Sequence, residues 1–169
     1  MTEVALKYIM MKIMTNSIKK GKKFEREIAK RLSKLTGKEF LRVPMSGGFS
    51  TSFKTRTLKG DVFSEAEDYK DVVVECKIRK NPIKIGDLTS KKSELWDWIE
   101  QTEREALSSP SILFFRWNNS KKTFGITSST RLAFKFLKNP LLFSNNFRII
   151  LNEWESVKLK HFYWLGELL

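Results

Sequence analysis

The spacing of apolar residues along the chain predicts three helices. In the segment from Lys20 to Leu35, four apolar residues recur at helical intervals and a glycine follows as a stop signal: Phe24, Ile28, Leu32, Leu35 and then Gly37. The later segments Asp87 to Leu107 and Ser129 to Leu137 also favour helices.

Short apolar runs bounded by turn residues predict strands between these helices. The predicted strands are Lys38 to Pro44, Asp61 to Ser64, Asp71 to Lys77, and a hairpin of Ser111 to Trp117 with Lys121 to Thr127. Met45 to Lys59 is predicted to be a loop, and the tail from Asn139 fits neither period clearly. The order αβββαββα predicts a single-domain α/β fold, with a central mixed sheet flanked by helices.

The length of 169 residues suits one domain, and no Pro-, Gly- or Ser-rich linker divides the chain. We therefore interpret residues 16–138 as the core of the domain, 1–15 as an N-terminal extension and 139–169 as a C-terminal extension.

Composition excludes several kinds of site and membrane anchor. Cys76 is the only cysteine and His161 the only histidine, which excludes an intrachain disulfide and a multi-cysteine or two-histidine zinc site. No apolar run approaches the roughly 20 residues of a membrane span. Lys7 and Lys12 interrupt the first apolar segment, unlike a signal peptide. We expect a cytoplasmic protein, associated with the nucleoid or, if viral, in the host cytoplasm.

The charge indicates a polyanionic partner. Lys and Arg number 32 against 19 Asp and Glu, a net charge of +13, which favours nucleic acid or an anionic membrane surface. Residues 16–59 carry 13 basic and three acidic residues, whereas residues 60–110 carry 12 acidic and eight basic residues. We therefore expect one basic face beside an acidic cluster. No basic amphipathic helix with an open apolar face stands out, which disfavours the membrane.

Asp61 opens one predicted strand, and Glu75 and Lys77 end the next. Because side chains alternate along a strand, Glu75 and Lys77 share a face while Cys76 points the other way, and a hairpin brings Asp61 beside them. Two carboxylates beside an ammonium group suit Mg²⁺ and a phosphate substrate. The alternative is a solvated hairpin with an ion pair, which this short pattern taken alone favours.

Expected burial favours the metal site over that alternative. The valine run 72–74 is typical of a central strand, so Glu75 at its end needs a compensating cation. Glu25 borders the apolar stripe of the first helix and falls under the same argument. Glu27 lies among lysines, and we expect it to be a solvated charge paired with a basic residue four positions away.

Four segments, in the order GKKFEREIAKRL, RVPMSGG, KGDVF and VVVECK, resemble the archaeal-type Holliday junction resolvases of the PD-(D/E)XK nuclease superfamily. The resemblance covers about Lys19 to Ile78, and Gly60 stands where the superfamily motif has proline. It implies a restriction-endonuclease-like fold. It also implies a homodimer that cuts two symmetry-related strands of a four-way DNA junction.

The resemblance further implies a role for each of six residues. Glu25, Asp61 and Glu75 would be metal-site carboxylates, the Cys76 backbone carbonyl a further metal ligand, Lys77 the catalytic lysine, and Ser46 a catalytic serine near the scissile phosphate. Mg²⁺ is the implied cofactor, with Mn²⁺ as a substitute. The thiol of Cys76 is most simply a small buried apolar group.

Residues around this constellation are candidates for contacts to DNA phosphates. They are Lys19, Lys20, Lys22, Lys23, Arg42, Ser46, Lys54, Arg56, Lys59, Arg79 and Lys80. For the lysines before Phe24 the alternative is an ordinary solvated helix face, and for the loop 45–59 it is a simple connection.

The sequence thus predicts a Mg²⁺-dependent, structure-selective endodeoxyribonuclease that resolves four-way junctions. One alternative is another PD-(D/E)XK nuclease that acts on duplexes or flaps in repair, recombination or restriction. The other is a basic DNA-binding protein without catalysis.

Overall fold

Seven strands form one mixed sheet in the computed structural model, which describes residues 3–44, 59–90, 92–144 and 162–169. The elements are α1 (Glu3–Thr36), β1 (Leu41–Arg42), β2 (Val62–Phe63), β3 (Val73–Arg79), α2 (Ile85–Thr89), α3 (Glu94–Ala106), β4 (Ser111–Trp117), β5 (Phe124–Thr127), α4 (Thr130–Phe136), β6 (Leu137–Ser144) and β7 (Phe162–Leu168). The predicted single-domain α/β class with a mixed sheet is confirmed. Within the described ranges, no helix is long and apolar enough to cross a membrane.

The order of the strands in the sheet is β1-β2-β3-β4-β5-β7-β6. Among the strands of the described residues, only β3 and β4 form a parallel pair, and α2 and α3 form the crossover between them, as a parallel pair requires. All the other neighbours are antiparallel, including the predicted hairpin of β4 and β5, which is confirmed. The pair β3–β4 therefore forms the centre of the sheet.

Each face of the sheet is covered by helices. On one face α1 packs against β3 and α4 packs against β5, β6 and β7, with Phe24, Phe136 and Phe114 fully buried. On the other face α3 packs against β3 and β4, and its Leu95 and Ile99 lie in one buried cluster with residues of β4. Because β3 and β4 are covered on both sides, the start of β3 (Val73 and Val74) and residues 112–115 of β4 are apolar and buried. The buried carboxyl group of Glu75, directly after the two valines, is therefore exceptional.

The first helix is longer at its start than its apolar stripe predicts. It begins at Glu3 rather than at Lys20, so most of the predicted N-terminal extension belongs to α1. Its end agrees with the prediction, because Gly37 takes φ 67° and donates its N–H to the carbonyl of Ser33 at 2.9 Å.

The single helix predicted over Asp87 to Leu107 is wrong, since the segment forms α2 and α3. The Ser93 hydroxyl donates to the carbonyl of Asp87 at 2.6 Å, and the Ser93 carbonyl accepts from Trp96 N–H at 3.0 Å. Serine and its neighbours hydrogen-bond locally with the backbone, which competes with helix continuation. These hydrogen bonds therefore interrupt the helix between α2 and α3.

The C-terminal tail supplies two strands that the sequence did not predict. β7 lies between β5 and β6, and Tyr163 is buried against Trp96 and Phe143 with ring centroids 5.6 and 5.8 Å away. The tail therefore completes the core on the α3 face. The predicted strand Lys38 to Pro44 is shorter than expected, because only Leu41 and Arg42 pair with β2.

We expect Phe143→Ala to lower the free energy of unfolding by about 3 kcal/mol or more, since it removes a buried aromatic ring from this core. Leu142 on the same strand is 50% exposed, and Leu142→Ala should cost about 1 kcal/mol or less. Urea denaturation of both variants checks the difference. Equal losses would contradict the packing of β6 described above.

Candidate active site

The candidate site lies where β2 separates from β3. The two strands pair at Val62 and Val74, and β3 continues past β2, so in the described part of the chain its backbone edge has no strand partner on that side. Asp61 precedes β2, and its backbone is fixed on both sides. Its N–H donates to the carbonyl of Val74 at 2.8 Å, and its carbonyl accepts from Val43 N–H at 2.9 Å.

Gly60 sets the direction from which the chain enters this position. It takes φ 77°, and a Cβ built on it would lie 2.6 Å from the carbonyl oxygen of Val74. Proline fixes φ near −65° and cannot adopt this conformation. The glycine that replaces the superfamily's proline therefore accompanies a different local backbone, in which Asp61 lies tight against β3.

The Asp61 side chain occupies the open edge of β3. Its Oδ2 accepts the Cys76 N–H at 2.8 Å, so a carboxylate takes the place of a strand partner. The N–H and carbonyl of one residue in a strand point to the same side. The Cys76 carbonyl therefore faces the same edge as Asp61, while the half-buried Cys76 side chain packs toward the core under α1.

Glu75 and Lys77 lie on the α3 face of β3, and the predicted sharing of a face is confirmed. Lys77 Nζ is 3.6 Å from Glu75 Oε2. The Glu75 side chain is only 6% exposed, whereas that of Lys77 is 24% exposed. The carboxylate is therefore held inside the protein, while the ammonium group can be reached from solvent.

Burial and crowding raise the pKa values of both carboxyl groups. Asp61 and Glu75 lie within hydrogen-bonding reach of each other. The pKa of Glu75 rises to about 9, because of burial first and then the charges of Asp61 and Glu105, and Lys77 opposes the rise only in part. Burial also raises the pKa of Asp61, against the lowering effect of the Cys76 N–H. Two buried carboxyl groups this close retain a proton unless a cation joins them.

Glu25 reaches the site from α1, on the opposite face of the sheet from Lys77. It is buried, and its charge contributes to raising the pKa of Asp61. Arg42 Nε donates to Glu25 Oε2 at 2.5 Å, with both side chains less than one fifth exposed. Arg42, predicted to contact DNA, thus forms an ion pair with a predicted metal ligand.

The expectation for Glu27 is wrong. It does not pair along its own helix, because Arg116 of β4 donates to both of its carboxylate oxygens at 2.9 and 2.8 Å. The Arg116 guanidinium also lies 4.5 Å from the centre of the Phe24 ring. Glu27 therefore joins α1 to the sheet, which spacing along the helix could not predict.

Two polar residues of α3 near the site were not predicted. Glu105 lies within hydrogen-bonding reach of Glu75, and Gln101 Nε2 donates to Glu105 Oε1 at 2.8 Å. The sequence carries no distinguishing pattern for them, because Glu105 is one of 12 acidic residues between 60 and 110. Glu105 is distinguished from the others only by the packing of α3 on β3, which brings it close to Glu75.

The residues present fit a hard divalent cation in part. Across 3–44, 59–90, 92–144 and 162–169, no group of three or more His, Cys, Asp or Glu side chains is placed to hold a metal ion. Asp61 and Glu75 nevertheless form a buried pair of oxygen donors, and Mg²⁺ commonly binds through one or two carboxylates plus waters and substrate phosphate. The donor chemistry therefore suits Mg²⁺ or Mn²⁺ through this pair.

The predicted DNA contacts fall into three groups. Lys19, Lys20, Lys22, Lys23 and Lys80 are exposed, and Lys59 is half-buried. Arg79 pairs with Asp87 at 3.1 Å and with Glu94 at 3.7 Å, and so is engaged within the protein, as is Arg42. Ser46, Lys54 and Arg56 lie outside the described residues.

A mixed α/β sheet that brings an aspartate to a Glu-x-Lys strand defines the class of the PD-(D/E)XK nucleases. A family model described as "Phage putative PDDEXK endonuclease" matches residues 16–163. The chain belongs to this family, and it is therefore a nuclease of that superfamily. A search of curated proteins and a search of solved structures gave no match.

We expect Gly60→Ala to cost about 2 kcal/mol or more of stability, because the new Cβ would meet backbone atoms at a positive φ. Gly86 in α2 is the control, since a Cβ there meets nothing within 4 Å. Thermal unfolding of Gly86→Ala should show no loss. A Gly60→Ala variant as stable as the unchanged chain would contradict the close approach to β3.

Glu75→Gln should stabilise the metal-free protein at pH 8, by an amount on the order of 3 kcal/mol. The folded-state pKa of about 9 lies above the ordinary value of 4.5, so the penalty for ionising Glu75 grows as pH rises between these values. The advantage of glutamine should therefore vanish near pH 5.

Urea denaturation in EDTA from pH 5 to pH 8 measures this difference. Glu67→Gln serves as the control, because that side chain is 85% exposed and should show no such trend. A Glu75→Gln variant that is less stable than the unchanged chain at pH 8 would refute the buried carboxyl pair.

Proposed function

We propose that the chain is a Mg²⁺-dependent, structure-selective endodeoxyribonuclease that resolves four-way DNA junctions as a homodimer. The observation that carries the chemistry is the buried Asp61–Glu75 pair, with Lys77 Nζ 3.6 Å from Glu75. Membership of a PDDEXK endonuclease family supports phosphodiester hydrolysis. The four ordered segments shared with the junction resolvases support the choice of substrate.

Asp61 and Glu75 would hold the cation, with the Cys76 carbonyl on the same edge. Glu25 of α1 is a further candidate ligand. Its carboxylate pairs with Arg42, and if it bound the cation in place of Arg42 it would connect α1 to the metal site. A bound Mg²⁺ supplies Lewis-acid activation of the phosphodiester and of the attacking water. The chain's own contribution is to exclude water around two carboxylates and to fix their direction through β3.

Lys77 places a positive charge beside these carboxylates. Its side chain is partly exposed, so its ammonium group can contact a phosphate that approaches the open edge of β3. There it stabilises the negative charge that develops during displacement at phosphorus. Ser46 is proposed as a further contact near the scissile phosphate from the resemblance alone.

The exposed lysines of α1 and Lys80 would bind the DNA backbone around this edge. Lysines that contact phosphates position a duplex without reading its bases. Selectivity for a junction would then come from the spacing of two sites in a symmetric dimer. Of the predicted arginine contacts, Arg42 and Arg79 are held in ion pairs, so we assign the backbone contacts mainly to lysines.

The full chain should nick a synthetic four-way junction in Mg²⁺ and leave the corresponding linear duplex arms largely uncut. Glu75→Gln and Lys77→Gln should each lower the rate by about 100-fold or more, because each removes a charge at the reacting phosphate. Glu67→Gln, an exposed change of the same kind, should cut normally.

The outcomes separate the alternatives. Equal cutting of junction and duplex would replace the resolvase by a general PD-(D/E)XK nuclease. Binding without Mg²⁺-dependent cutting would leave only a DNA-binding protein. A supercoiled plasmid with an extruded cruciform tests pairing, since coordinated nicks give linear product and independent nicks give open circles.

A further inference from the structure

The side of α1 that faces away from the sheet carries a row of basic residues. Phe24, Ile28 and Leu32 mark the opposite side, which is fully buried in the core. Five basic residues recur at intervals of three or four along the outer side and are all exposed: Lys19, Lys23, Arg26, Lys30 and Lys34. The row is about 22 Å long and occupies an arc of about 80° around the helix. We call these five residues the basic stripe.

The carboxylates nearest to the basic stripe along the chain are engaged elsewhere. Glu25 and Glu27 are the only acidic residues between positions 19 and 34. Glu25 pairs with Arg42 of β1, and Glu27 pairs with Arg116 of β4. Among the ion pairs of the described residues, none includes a member of the basic stripe. The stripe therefore presents its whole positive charge to an external partner.

Double-stranded DNA suits the charge and shape of the basic stripe. A duplex presents about one negative charge per 1.7 Å of its axis, so phosphates are available along the whole row. A helix that lies on a membrane surface needs an open apolar face beside its cations. The apolar side of α1 is instead buried in the core, which favours nucleic acid as the partner.

The basic stripe lies across α1 from the candidate active site. Lys77 is opposite Phe115 of β4 and shares with it the α3 face of the sheet, whereas α1 covers the other face. The full width of α1, about 10 Å, separates the stripe from the sheet. A straight duplex at the open edge of β3 would therefore leave most of the stripe unoccupied. DNA whose arms diverge could contact both places.

We propose that the basic stripe binds the sugar–phosphate backbone of a duplex arm other than the arm held at Asp61 and Glu75. One protomer then favours branched or sharply bent DNA by itself, in addition to the effect of two sites in a dimer. The inference rests on the proposed function, because it takes the open edge of β3 as the other place where DNA binds.

The salt dependence of DNA binding tests this role. Binding of the full chain in EDTA to a labelled four-way junction, and to a linear duplex made from two of its arms, is followed by fluorescence anisotropy at several salt concentrations. The plot of log K against log salt should be steeper for the junction. The triple change Arg26→Gln, Lys30→Gln and Lys34→Gln should lower the junction slope by about 2.7 for each protomer bound, and the duplex slope by less.

A matched variant controls for the loss of net charge. Lys121, Lys135 and Lys138 are exposed outside α1, and changing all three to glutamine removes the same charge. This variant should keep the difference in slope between junction and duplex. Thermal unfolding should show that both triple variants remain folded, since glutamine is about as good a helix former as lysine and arginine.

Three results would overturn the inference. Equal loss of slope on junction and duplex would show a general electrostatic surface without preference for a second arm. The same change in the control variant would show an effect of net charge alone. Phosphatidylserine vesicles that displace the junction from the unchanged chain, and not from the stripe variant, would assign the stripe to a membrane surface.

These three results differ from a failure of the proposed function. Each leaves Mg²⁺-dependent cutting of the junction by the unchanged chain as it was, and so removes only the role of the basic stripe. If the unchanged chain binds junction and duplex with the same slope and cuts neither selectively, the proposed substrate is refuted together with the second arm.

Discussion

The structure depends on two acidic side chains held together where water is largely excluded. Desolvation and mutual repulsion both oppose ionisation of Asp61 and Glu75, and the Cys76 N–H and Lys77 offset these costs only in part. Such an arrangement is unfavourable as a purely structural feature. A divalent cation would supply the positive charge that the two carboxylates need in order to ionise together.

The sheet makes this arrangement possible because β2 begins only at Val62, opposite Val74 of β3. Past Val74, the edge of β3 is free to accept a side chain instead of a strand. This edge lies between the two helix layers, so groups from both faces can meet there. Glu25 comes from the α1 side, while Lys77 and Glu105 come from the α3 side. A site buried under one layer of helices alone would not receive side chains from both faces of the sheet.

Local patterns predicted the features that depend on local geometry. The period of two places Glu75 and Lys77 on one face, and the helical stripe ending at Gly37 marks the end of α1. Features set by distant contacts were missed. The pairing of Glu27 with Arg116 joins residues 89 positions apart, and β7 is ordered through its place between β5 and β6. Glu105 likewise comes near Glu75 only through the packing of α3 on β3.

The family identifies a nuclease, and the buried pair offers oxygen donors for a cation in a chain with one histidine and one cysteine. Calorimetry of Mn²⁺ binding in two buffers of different ionisation enthalpy tests this most directly, because it counts the protons released. If Asp61 and Glu75 share a proton that the cation displaces, about one proton per Mn²⁺ should be released at pH 7.5. Binding without proton release, or no binding, would contradict the account.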